Sequence, residues 1–251
     1  MMIKLYNKNA ENFALVWIGI YVVLCILADN VSGSIGIQKV ITAPFCFVFA
    51  MVLFFFIKKY DLCEIVGLCR FQGDVKRYLF FIPLALLCTT NVWWGVRLNV
   101  SIGETILYVI SMLFVGFIEE IIFRGFLFTA MCKRNVKVAM LVSSATFGLG
   151  HIVNLLNGRE LIATLSQVCY AMAIGYVFTV VFYKGKSLWP CIITHSVINC
   201  LSVISNAGDL SEAEKMIPRV FLCVVSLAYA WYLVKVEKGN SNEEEAKSDC
   251  V

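Results

Sequence analysis

Charge is what this chain has least of: Asp, Glu, Lys and Arg make up 15% of its 251 residues, against about 25% in soluble globular domains. With 60% of its residues hydrophobic, it has too little polar surface to cover a water-exposed fold. A soluble domain is excluded, and the composition is that of a polytopic membrane protein. There is no basic cluster and so no nucleic-acid partner. No long linker, low-complexity tract or obvious repeat divides the chain, so residues 1–236 read as one membrane domain. The eleven cysteines are scattered and form no CxxC pair, so they read as small buried hydrophobes rather than as a disulfide or metal framework. The chain has two histidines, and both fall inside apolar runs.

Long apolar runs dominate the rest. A helix crosses the roughly 30 Å hydrocarbon core with about 20 apolar residues. Eight runs qualify as candidates: residues 12–28, 40–57, 78–97, 105–131, 137–156, 161–183, 187–205 and 217–236. The expected fold is all-α, a bundle of about eight transmembrane helices. The first run follows Lys4 and Lys8 as a signal peptide would, but Leu27-Ala28-Asp29 is a poor cleavage site, so it reads as an uncleaved span. The seventh contains Pro190 and is short. The connection at 58–77 mixes apolar and charged residues, as a segment lying at the membrane surface does. The tail at 237–251 is acidic and polar and reads as disordered.

Cytoplasmic loops carry an excess of Lys and Arg. With the N-terminus inside, fifteen Lys and Arg fall on the cytosolic side, among them Lys58, Lys59, Arg70, Lys133, Arg134 and Lys184, and five on the other: Lys39, Arg97, Arg159, Lys215 and Arg219. Both termini are therefore expected in the cytosol, and the location is an integral, multi-pass protein of the bacterial plasma membrane.

Ionisable groups at membrane depth are expensive and by default functional. They occur in the fourth, fifth and seventh runs. In "GFIEEIIFRGFLF" Glu120 and Arg124 stand four residues apart on one helical face, acid before base, the favourable order, while Glu119 points elsewhere and lacks a local cation. "SSATFGLGHIVN" places His151 one turn after Phe147, and "WPCIITHSVINC" places Asn199 one turn after His195. Measured from the cytosolic ends, Glu119 and His151 lie on the order of 20 Å deep and His195 about 12 Å, which predicts one cavity opening toward the cytosol.

At these residues the sequence resembles the CPBP family of intramembrane proteases, also called the type II CAAX prenyl protease or abortive-infection family. Its pattern is EExxxR, FxxxH and HxxxN or HxxxD on successive helices, and here it reads Glu119-Glu120-x-x-x-Arg124, Phe147-x-x-x-His151 and His195-x-x-x-Asn199. The resemblance covers about residues 104–205. It implies that Glu119 activates a water, that His151 binds or polarises it, and that His195 and Asn199 stabilise the oxyanion. Glu120, Arg124 and Phe147 would organise the site. Peptide hydrolysis needs such a set independently: a base for water, a proton for the leaving amine, and donors at the developing oxyanion.

The family has been described both as metalloproteases and as glutamate-dependent proteases. Glu119, His151 and His195 would suffice for a catalytic zinc, but no HExxH is present, and a metal-independent site is favoured. The partner implied is a peptide or membrane protein, with membrane-protein processing or bacteriocin self-immunity as the setting. Two other readings of the same charges are a non-catalytic immunity or scaffold protein and a proton-coupled transporter. The transporter reading lacks the inverted repeat it would predict.

Overall fold

In the computed structural model, residues 2–155, 158–208 and 210–248 are described, with side chains described through residue 236. Ten α-helices follow one another: α1 Met2–Lys8, α2 Ala10–Ile35, α3 Thr42–Lys59, α4 Ile82–Thr89, α5 Ile102–Glu120, α6 Thr129–Cys132, α7 Val136–Gly150, α8 Leu161–Gly185, α9 Trp189–Ser202 and α10 Glu212–Ser248. Among the described residues the one extended pairing is an antiparallel bridge between Val96 and Ser205.

The helix starts are legible in the sequence. The Asn9 side chain accepts from the Asn12 amide at 2.9 Å and opens α2, and that of Asn135 accepts from Val138 at 3.1 Å and opens α7. At α5, Ser101 and Glu104 form a reciprocal capping box, which satisfies two of the amides a helix start leaves orphaned.

Among the described residues, six helical stretches are long and apolar enough to cross a membrane: Ala10–Ile35, Thr42–Lys59, Ile102–Cys132, Val136–Leu155, Leu161–Gly185 and Glu212–Val236. The protein is a multi-pass helical bundle. Its outer surface is apolar, with Val23, Phe55, Leu141, Ile162 and Trp231 all more than half exposed, a surface suited to lipid rather than water. Buried apolar side chains run in one continuous cluster from Phe13 in α2 to Leu233 in α10.

Two of the eight expected spans are shorter than their apolar runs. In the third, Leu79, Phe80 and Phe81 all take left-handed backbone angles. That turn is costly for side-chain-bearing residues; regular α-helix begins only after it, at Ile82, and the helical stretch Leu79–Val92 stops short of the end of the apolar run. In the seventh, α9 begins beside Pro190 and has 14 residues, about 21 Å at 1.5 Å each. α9 packs against α5 within the bundle, while α4 packs one face, Leu84 and Leu87, toward α9 and α10 and leaves Ile82 and Leu86 exposed. The disordered tail expected at 237–251 lies outside the residues whose side chains are described.

The fourth span is continuous but irregular. After Glu120 the helix widens into a π-helical segment, Ile121–Phe128, whose eight residues are all buried. Such segments are rare and concentrate at functional sites. This one contains Arg124.

The connection at 58–77 does not lie loosely on the surface. Its Leu62 and Val66 are buried. Gly67 O accepts from the Leu188 amide at 2.8 Å, Cys69 O accepts from Ser187 Oγ at 2.8 Å, and the Gln72 amide donates to Gly185 O at 3.0 Å. The segment thereby covers the end of the bundle where α8 meets α9.

Candidate active site

The π segment and α5 deliver two adjacent carboxylates to different surroundings. Glu120 is fully buried and accepts from Arg124 Nη1 at 3.1 Å and shares a hydrogen bond with His195 Nδ1 at 2.8 Å, both through Oε1. Arg124, also fully buried, lies with its guanidinium carbon 4.2 Å from the Phe147 ring centre and 5.8 Å from that of Phe178. A cation over an aromatic face is attracted by the ring quadrupole, which adds to the pull of the Glu120 carboxylate. Space for the guanidinium comes from Gly175 of α8: a Cβ there would stand 2.9 Å from Arg124 Nη2.

Glu119 lies on the wall of a cavity of about 850 Å³, together with Phe123, Phe147, His151, His195 and Asn199. Its Oε1 accepts from the Tyr21 hydroxyl at 2.9 Å, and its Oε2 stands 3.6 Å from His195 Nε2. The imidazole of His195 thus bridges the two carboxylates, one nitrogen to each. α9 is held close enough to α5 for this because Gly116 faces Ser196, where a Cβ would meet Ser196 Oγ at 2.3 Å, and Ser196 Oγ donates to Leu113 O at 3.1 Å.

His151 sits where α7 passes into a short 3₁₀ turn, His151–Leu155. Its Nδ1 lies 3.1 Å from Phe147 O. With that carbonyl as acceptor, Nδ1 carries the proton and Nε2 offers a lone pair. The Phe147 ring is the hub of the site, 5.3 Å from the His151 ring and 5.4 Å from the His195 ring, edge-on to both.

All seven residues singled out in the sequence therefore converge: Glu119, His151, His195 and Asn199 on the cavity wall, Phe147 between them, and the Glu120–Arg124 pair behind. Two groups escape the sequence reading. Tyr21 comes from α2, outside every motif; its signal was a tyrosine in mid-span, since tyrosines concentrate at the membrane interfaces. Phe178 of α8 stacks near Arg124 and His195 and is one phenylalanine among nineteen, with nothing local to mark it.

One expectation needs correction. The cavity does not open toward the basic loops. From Glu119 it runs to the opposite end of the bundle, where Asp29, Lys39, Trp94, Arg159, Ala207 and Lys215 line it. Residue counts along single helices gave the depth of the site but not the side on which the helices separate. Toward the basic loops the void is closed by Arg124, Phe126 and Phe128 and by Val177–Phe182 of α8, all buried. At the cavity's far end Lys39 donates to Asp29 Oδ1 at 2.7 Å. Burial alone would lower the Lys39 pKa, but the adjacent Asp29 carboxylate prevails and holds it above the ordinary lysine value.

Among the described residues no three His, Cys, Asp or Glu side chains form a cluster able to hold an ion. His195 directs both ring nitrogens at carboxylates. No step below is routed through a metal.

Fold and site together define a class: a polytopic membrane protein with a carboxylate–histidine–arginine site at the floor of a cavity within the bundle. Residues 101–201, which contain every motif residue, match the model of the family described as type II CAAX prenyl endopeptidase Rce1-like. A protein of Bacillus subtilis described as "Putative membrane peptidase YdiL" is 30% identical over 133 residues, 53% of this chain and 48% of that protein. The match thus spans about half of each. Over residues 101–201 the chain is therefore similar to type II CAAX prenyl endopeptidases of the Rce1-like kind.

Proposed function

We propose that the protein is an intramembrane endopeptidase that hydrolyses peptide bonds with a water activated by Glu119. The observation that carries the reading is the convergence on one cavity wall of Glu119, His151, His195 and Asn199, drawn from three separate helices, with a neutralising Glu120–Arg124 pair held out of the cavity.

In this reading Glu119 takes a proton from a water held between it and His151 Nε2, and the resulting hydroxide adds to the scissile carbonyl. Asn199 and His195 donate to the oxyanion that forms. Glu119 then delivers its proton to the amide nitrogen as the C–N bond breaks, and a carboxylic acid and an amine leave. Proton transfer by a positioned group contributes about 10²–10⁴ in rate. Two carboxylates and one guanidinium leave one negative charge at the site.

The site's own groups supply base, acid and oxyanion donors, so the reaction is proposed to be metal-independent. The experiment compares the parent protein with Glu119→Gln, purified in detergent, by mass spectrometry of new termini in a membrane proteome, with and without chelator. New termini made by the parent alone, unchanged by chelator, are expected. Full activity in Glu119→Gln would overturn the peptidase reading and move weight to a non-catalytic partner-binding protein. Loss with chelator and recovery with metal would overturn metal independence.

A further inference from the structure

The direction of the cavity, set against the distribution of charge, identifies the side from which substrate comes. The cavity lining runs from mid-span, at Tyr21, Glu119, Phe123 and His195, to one end of the bundle, which it reaches through the C-terminal parts of α2 and α9, the N-terminal parts of α8 and α10, Tyr108 of α5 and the end of α7. The connections at that end, near residues 36–41, 93–101, 151–160 and 203–211, carry Lys39, Arg97 and Arg159, with Lys215 and Arg219 at the start of α10.

The opposite end is closed twice, by the buried residues around Arg124 and by the 58–77 segment hydrogen-bonded across residues 185–188. That closed end bears Lys58, Lys59, Arg70, Lys76, Arg77, Lys133, Arg134, Lys137, Lys184 and Lys186. The K/R bias of short loops sets orientation in the membrane, and here it places the closed end in the cytosol.

We infer that the cavity opens to the extracytoplasmic side, and that the peptide it admits is a segment exposed on that side or emerging from the outer leaflet. The second half of this inference rests on the peptidase reading; the first does not. Its consequence for substrate class is direct. A lipidated C-terminal tail displayed in the cytosol has no path to Glu119, because the 58–77 segment and the packed half of the bundle lie between them.

The test labels intact cells with a membrane-impermeant maleimide and resolves the modified site by mass spectrometry. Two variants are compared with the parent: Ala163→Cys on the cavity wall and Lys133→Cys on the basic end. Ala163→Cys is expected to label equally with and without permeabilisation, and Lys133→Cys only after it. Labelling of Ala163→Cys that requires permeabilisation overturns the inference, as does labelling of Lys133→Cys from outside. Each variant must elute from size exclusion as the parent does; should Ala163→Cys fail, Ala207→Cys on the same wall replaces it.

Right-side-out vesicles given peptide from outside then separate the two readings. The expected labelling with cleavage equal in parent and Glu119→Gln leaves the orientation standing and removes the peptidase. Reversed labelling with Glu119-dependent cleavage does the opposite.

Discussion

Glu119 and Glu120 are neighbours in sequence, and the two halves of the bundle meet between them. On Glu120's side every group is packed: Arg124, Phe126 and Phe128 are buried, glycines admit the guanidinium and the close helix contacts, and the carboxylate spends one oxygen on Arg124 and His195. On Glu119's side the helices part, and the carboxylate faces a cavity with one hydroxyl, from Tyr21, for support. In the proposed reading, the same residue type at consecutive positions is a structural ion in one half and the base in the other. Substitutions in the open half should therefore change rate while sparing the fold, and those in the packed half should do the reverse.

The largest effect separates the two carboxylates. Glu119→Gln keeps the shape and the bond from Tyr21 but cannot take a proton; turnover should fall by about 10³, roughly 4 kcal/mol in the barrier, with the unfolding midpoint in detergent unchanged. A comparable loss of stability in Glu119→Gln would break the distinction between the halves. Arg124→Leu should show the complement. Removing one partner of a buried pair leaves an uncompensated charge, at a cost of about 3–5 kcal/mol. The variant should unfold earlier, and an unfolding curve matching the parent would show that Glu120 is not held as the contacts indicate.

How much of this was legible beforehand differs between the halves as well. The motif residues were readable because each breaks an apolar run: a charge or a histidine in a span has no bland surface to occupy, so Glu119, Glu120, Arg124, His151 and His195 stood out on cost alone. Their partners were not readable where the partner is itself apolar or comes from a distant helix. Phe178 pays nothing for being in a span, and Tyr21 lies 98 residues from the carboxylate it bonds. The helix count suffered from a related blindness. Hydropathy sees that residues 78–97 are apolar, but not that three consecutive residues turn left-handed at the run's start or that the helical stretch stops at Val92. The cavity's direction was hidden for the same reason, since it depends on which ends of the helices part.

Within the open half the remaining predictions grade the wall by its distance from the proton transfer. Asn199→Ala removes the neutral donor that the proposed mechanism assigns to the oxyanion. Loss of one such donor costs about 10²–10³ in turnover, and the loss should appear in kcat more than in KM, because the donor is needed where charge develops. An equal effect on both would move Asn199 from transition-state stabilisation to simple binding.

Tyr21→Phe is the mildest and the most diagnostic of the open half, because it keeps the ring against Phe49 and removes one hydroxyl. That hydroxyl donates to the oxygen of Glu119 that does not face His195, so it fixes which oxygen of the base addresses the cavity without meeting the reacting atoms. Hydrogen bonds to charged groups contribute about 1.5–3 kcal/mol. Cavity water can replace part of this one, so turnover should fall by about tenfold, near 1.4 kcal/mol. If Tyr21 positions the base, the loss should appear in kcat with KM unchanged. Unchanged turnover, or a loss seen in KM instead of kcat, would mean that His195 alone orients Glu119, and that α2 contributes packing to the site rather than chemistry.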